Sequence, residues 1–181
     1  MSKLTMVFFI FLFLMLKATE DVGAQNKPAG VEIKLKELGI NLITPSSPTA
    51  NYLKARRIGN LVYLSGHGPD KPEGGQVTGK LGSDLTLEQG QQAARLVGIS
   101  LLSTLKSTIK DLNKVKSIVK VLGMVNAVPS FERHSQVING FSDLMVEVFG
   151  ESGKHARSSV GVSSLPSNIA VEIEMIVELK K

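Results

Sequence analysis

Two stretches of helical-period hydrophobicity, separated by one dense apolar run, constrain this chain more than any other feature. From Leu87 the apolar residues fall at 87, 93, 94, 97, 101, 102, 105 and 109, the spacing of a single buried helix stripe. Thr86 with Gln89 three residues later is a capping-box start, and Asp111–Asn113 breaks the run. Gly90 and Gly98 cost this helix propensity, which is tolerable where it packs tightly on a sheet. A second stripe at 137, 138, 141, 144, 145, 148 and 149 lies within Phe131–Phe149; Pro129-Ser130 opens it and Gly150 stops it. Between the two, Val115–Val125 is apolar at 118, 119, 121, 122 and 125, the pattern of a strand buried on both faces.

The remaining segments read as strands and turns. Val31–Leu38 has apolar residues at 31, 33, 35 and 38, which suit either a short strand or a turn of helix. Prolines 45 and 48 make a loop. Tyr52–Arg57 and Leu61–Ser65 flank Gly59-Asn60 as a hairpin, and Gly66-His67-Gly68-Pro69 ends it. Gln76–Leu81 reads as a further short strand ending at Gly82. Past Gly150, small and branched residues alternate around Arg157, and Val171–Glu178 sets Glu172, Glu174 and Glu178 on one face against apolar residues on the other. The expected order is β-β-β-α-β-α-β-β. That is an α+β fold: one mixed sheet with two helices packed on one face. The other face then needs a cover, and the simplest cover is another copy of the chain.

Residues 1–24 read as a signal peptide. Lys3 supplies the positive start, and Val7–Leu16 is a ten-residue apolar core, too short for the roughly 20 residues that span a bilayer. Val22-Gly23-Ala24 offers a small-residue cut before Gln25, so the chain is expected to be exported, periplasmic or secreted, with no stable membrane insertion after cleavage; the charged Lys17, Glu20 and Asp21 before the cut leave an uncleaved anchor as the alternative. Residues 25–50 form an N-terminal extension and loop, and 51–181 the main domain. The net charge of +5 favours anionic small molecules. With no cysteine in the chain, disulfides, thiol catalysis and zinc–thiolate sites are excluded. His67, His134 and His155 lack ligand spacing, so no metal is expected. Lys106, Lys110, Lys114, Lys116 and Lys120 form a basic run, but with no Trp and two Tyr there is no stacking platform for single-stranded nucleic acid. A solvated face is the better reading of that run.

Arg157 leads the candidates for chemistry, because a guanidinium fork can grip a carboxylate bidentately. It can equally be a structural ion pair with Glu172 or Glu174 on what looks like the neighbouring strand. A carboxylate desolvated near an interface gains basicity, and Glu172, Glu174 and Glu178 all qualify by position. The glycine of Ser65-Gly66 lets a ligand approach backbone, and His67 beside it lies in a loop. His155 stands just before the Arg157 strand. Asn139 is a poor helix-interior residue, so it is expected to serve a ligand or a neighbouring backbone group.

Ala156-Arg157-Ser158, then Leu165-Pro166, then Glu172-Ile173-Glu174, together with Ser65-Gly66 before Pro69, resemble the RidA (YjgF) family of enamine/imine deaminases. The resemblance spans Tyr52 to Glu178. It implies a chorismate-mutase-like homotrimer with sites in the clefts between subunits. It also implies hydrolysis of reactive intermediates such as 2-aminoacrylate to 2-keto acids and ammonia, with no cofactor. The family's carboxylate-binding arginine matches Arg157, and its water-positioning glutamate matches Glu172. Its strand tyrosine matches Tyr52, its helix asparagine Asn139 and its loop glycine Gly66. His67 stands where many members have glutamine, and Ser159 where many have cysteine. The competing expectations are a trimer that binds a carboxylate ligand without turning it over and, third, the ribonuclease action attached to some relatives, against which the sparse aromatics and modest charge argue.

Overall fold

The computed structural model describes residues 30–48 and 50–181; the segment read as a signal peptide lies outside them. Its elements are α1 (Val31–Glu37), β1 (Ala55–Ile58), β2 (Leu61–His67), α2 (Leu87–Ile109), β3 (Val115–Asn126), α3 (His134–Phe149), β4 (Ala156–Val162) and β5 (Val171–Leu179). The strands form one mixed sheet in the order β1-β2-β5-β3-β4, parallel only between β3 and β4. The architecture is α+β, as the sequence leads one to expect.

Local chemistry accounts for the long elements. Thr86 and Gln89 form the reciprocal capping box of α2. Lys110 closes that helix in a left-handed conformation, and the Asp111 side chain then accepts the Asn113 N–H. Gly150, with φ +59°, ends α3. α2 and α3 pack side by side on one sheet face. Leu101, Leu105, Ile138, Phe141, Leu144 and Met145 are fully buried there against Val121, Ile173, Met175 and Val177.

The structure departs from the sequence reading in four places. Val31–Glu37 is a helix, giving three helices rather than two; its first N–H is capped by Asn113 Oδ1 at 2.9 Å. Gln76–Leu81 is not a sheet strand. Thr78 and Leu81 make only isolated bridges, to Ile169 and Ala127, because Gly79 (φ +117°) and Gly82 (φ +89°) turn the backbone out of an extended run. The order is therefore α-β-β-α-β-α-β-β. β1 begins at Ala55, which leaves Tyr52 in a bend before the strand. Lastly, β3 is buried on one face only. Ile118, Val121 and Val125 are covered by the helices, whereas Leu122 and Met124 are half-buried on the open face. Tyr63 (41 % exposed) and Val160 (42 %) add exposed apolar surface to that open face and to the β4 edge.

Gly90 and Gly98 do mark close packing, but against side chains of the Leu81 loop and of α3 rather than against the sheet. The tightest approach to backbone is at Gly140, where a methyl group would overlap the Gln91 backbone carbonyl. Backbone cannot rotate away as a side chain can. Gly140→Ala should therefore cost about 3 kcal/mol, the upper end of ordinary overpacking. Its denaturant midpoint should fall accordingly; an unchanged midpoint would mean the helices are free to separate.

Candidate active site

Arg157 lies on the edge strand β4 in register with Val121, a core residue, so it points toward the helices. Nη1 donates to Asn139 Oδ1 at 3.0 Å and to Ser142 Oγ at 2.9 Å, and Nη2 to the Ser135 carbonyl at 3.3 Å. All three acceptors belong to α3. They occupy three of the five guanidinium N–H groups. Nε–H and one Nη2–H have no partner among the described residues. Nε and Nη2 share one edge of the planar group, the edge at which a guanidinium receives a carboxylate bidentately.

The acceptor oxygen of Asn139 serves the arginine, a partner that neither expectation from sequence named. Ser142, which the sequence reading missed, shares that role. Its signal was faint, a small polar residue three positions after Asn139 and so on the same helix face. Ser142 Oγ also meets His155 Nε2 at 3.1 Å, and His155 Nδ1 meets the Gly153 carbonyl at 2.7 Å. Burial holds the His155 pKa below the ordinary histidine value; the Gly153 bond opposes this, and the Arg157 charge adds to it. Ser159, two residues beyond Arg157 and facing the same way, has a buried hydroxyl with no partner.

Glu172 belongs to the other face. It alternates with Val171 and Ile173, both fully buried, and lies in register with Met124. A side chain at residue 66 would collide with its carboxylate, so Gly66 is what lets Glu172 lie flat over the β2 backbone. Burial pushes the Glu172 pKa above the ordinary carboxylate value, and the neighbouring Glu174 adds to the effect. Glu174 and Glu178 are placed differently. Glu178 is tied to Lys116 at 2.9 Å and Asn60 at 3.1 Å. Glu174 is exposed in a groove of about 460 Å³ on the open face, lined also by Tyr63, Ser65, Leu122 and Ser158.

A β-bulge governs this region. Between Leu64↔Met175 and His67↔Ile173, β2 advances three residues against two on β5, so Ser65 and Gly66 together oppose Glu174. The extra residue turns His67 inward. It is 4 % exposed, with Nδ1 on the Ser65 carbonyl at 2.7 Å and Nε2 on Thr104 Oγ1 at 2.8 Å. His67 is therefore a core residue, not the loop histidine expected from the sequence. Burial lowers its pKa.

Two further expectations are corrected. β4 and β5 are not neighbours, since β3 lies between them, and Arg157 and Glu172 occupy opposite faces of the sheet. No ion pair joins them. Two strand spacings, roughly 10 Å, separate them across the sheet as well. Tyr52 is exposed in its bend. The basic run is largely tethered: Lys106 to Glu32, Lys114 to the Ile109 carbonyl, Lys116 to Glu178 and Lys120 to Ser158. Among the described residues, no cluster of three or more His, Asp or Glu side chains suits a metal ion, and no helix is long and apolar enough to cross a membrane.

Fold and site together define a class: small α+β domains of chorismate-mutase-like architecture, with a braced arginine on an edge strand and a half-buried glutamate on the uncovered sheet face. The family described as "YjgF/chorismate mutase-like, putative endoribonuclease" matches residues 32–179. The chain is 43 % identical over 150 residues to protein TCP17 of Trypanosoma cruzi, covering 82 % of this chain and 94 % of that one. It is 33 % identical over 135 residues to a 2-iminobutanoate/2-iminopropanoate deaminase of Dermatophagoides farinae, covering 74 % and 89 %. Among solved structures, protein Atu1372 of Agrobacterium tumefaciens, of unknown function, superposes with a TM-score of 0.76 at 41 % identity, covering 83 % and 94 %. The chain belongs to the YjgF/RidA family.

Proposed function

We propose that this protein hydrolyses imine tautomers of reactive 2-amino acid intermediates to 2-keto acids and ammonia, at sites shared between copies of a homotrimer. The observation that carries this reading is the pairing of an Arg157 fork left open on one sheet face with a basicity-enhanced Glu172 on the other. One chain cannot bring both to one small substrate. Two copies can, if the β4 edge of one meets the open face of the next. An unpaired strand edge and the exposed apolar side chains of the open face, Tyr63 and Val160 among them, both call for such a cover.

The chemistry follows from the residues. Arg157 of one copy holds the substrate carboxylate. Glu172 of the next orients a water and takes its proton as the oxygen attacks the imine carbon. That proton then passes to the nitrogen of the tetrahedral adduct. Glu172 next takes the hydroxyl proton of the adduct and hands it to the same nitrogen, the C–N bond breaks as the carbonyl forms, and ammonia leaves with Glu172 again ionised. Glu172's raised pKa makes it a better base than an exposed carboxylate. The name of the Dermatophagoides relative supports the substrate class.

The test is release of ammonia and keto acid from freshly generated 2-aminoacrylate by the purified protein. Acceleration over the spontaneous reaction is expected. A folded oligomer that binds 2-keto acids but does not accelerate hydrolysis would leave a ligand-binding trimer instead. Export belongs to the same proposal: the mature chain should begin at Gln25 on N-terminal sequencing, and a retained Met1 would overturn that part.

A further inference from the structure

We propose that Ser142 and His155 are positioning residues that fix the direction in which Arg157 presents its open edge. The proposal rests on the reading of Arg157 as the carboxylate grip. Arginine only donates, so at 2.9 Å the Ser142 oxygen must accept from Nη1. The serine proton must then go elsewhere. In a helix its usual acceptor is the carbonyl one turn back, which would rotate the oxygen toward its own backbone. Here His155 Nε2, 3.1 Å away, takes it instead.

That acceptor exists only while the ring is neutral with its hydrogen on Nδ1. The Gly153 carbonyl at 2.7 Å, which can only accept, enforces this tautomer. The Phe141 ring packs edge-on against the imidazole, with centroids 5.7 Å apart. The order is therefore fixed from end to end. Arg157 donates to Ser142, Ser142 to His155, and His155 to Gly153. With both Nη1 hydrogens committed, to Ser142 and to Asn139, the guanidinium cannot turn, and the Nε/Nη2 edge keeps one orientation.

The other half of the sheet supplies an internal control. His67 binds the carbonyl two residues before it and a helix hydroxyl, Thr104, just as His155 does, but no arginine ends that chain. A merely structural role would give both pairs the same consequences.

The experiment uses the full-length protein with 2-aminoacrylate generated in situ. Ser142→Ala and His155→Leu should each raise KM roughly ten-fold with kcat little changed, and the double variant should be no worse than either. His155→Gln, whose amide oxygen can accept the serine proton, should recover most of the loss. Thr104→Ala should lower stability without moving KM. Wild-type KM in Ser142→Ala, or additive losses in the double variant, would overturn the proposal. If the wild type turns nothing over, the assigned activity fails, and the arginine is then read directly. By NMR without substrate, protection of the Arg157 Nη–H groups from exchange should be lost in His155→Leu and kept in His155→Gln. Equal protection in both would overturn it.

Discussion

Arg157→Ala should lower kcat/KM on a carboxylate-bearing imine by roughly 30- to 4,000-fold, the equivalent of about 2–5 kcal/mol for truncating one partner of a desolvated, hydrogen-bonded charge pair. Most of the loss should appear in KM, because the arginine grips a carboxylate that is charged in substrate and transition state alike. The fold should survive. The groups left behind, Asn139 Oδ1, Ser142 Oγ and the Ser135 carbonyl, lie at the margin of the structure beneath an edge strand, where water can replace the guanidinium. Arg157→Lys should rescue little, since an ammonium is a point charge without the planar fork. Kinetics beside size-exclusion chromatography checks both halves. A folded Arg157→Ala oligomer with wild-type KM would remove the arginine from the site.

Glu172→Gln should lower kcat by about 10²- to 10⁴-fold, the ordinary contribution of a general base, while making the protein more stable near neutral pH. The sign of the stability effect follows from the raised pKa. Between the unperturbed value of 4.5 and the higher folded value, the folded chain binds more protons than the unfolded one. The penalty for holding Glu172 ionised is therefore fully present above the folded pKa. It is relieved as pH falls through that value toward 4.5. The glutamine variant never carries the penalty. Its melting temperature should exceed that of the wild type at neutral pH, and the gap should close on acidification. A gap that stays constant with pH would mean Glu172 is as well solvated folded as unfolded. In the same frame, the acid limb of kcat/KM should lie above the ordinary carboxylate range.

The two long helices, the hairpin and the last two strands were legible because each carries a period that only one secondary structure satisfies. Gln76–Leu81 misled because its composition suits a strand, whereas two glycines with positive φ bend the backbone into isolated bridges. The site was half legible. Arg157 and Gly66 stand out by residue type and place, and Glu172 is separated from Glu174 and Glu178 only by the family resemblance, but which face each occupies depends on strand order and on a single extra residue. The Ser65–Gly66 bulge is invisible in composition, yet it sends His67 into the core and leaves Gly66 beneath Glu172. Asn139 announced itself as an awkward helix residue. Ser142 did not, because a serine on a helix flank is unremarkable until an arginine is found against it.

The central claim is that Arg157 and Glu172 act on one substrate from different copies of the chain. Mixing subunits tests it directly. Arg157→Ala and Glu172→Gln proteins, each nearly inactive alone, are coexpressed so that mixed oligomers form, which native mass spectrometry verifies. In a cyclic trimer assembled at random, about one site in four pairs an intact arginine with an intact glutamate from the adjoining subunit. The account predicts recovery of roughly that fraction of wild-type turnover. Mixed oligomers as inactive as their parents would place both residues' work within a single chain, and would contradict it.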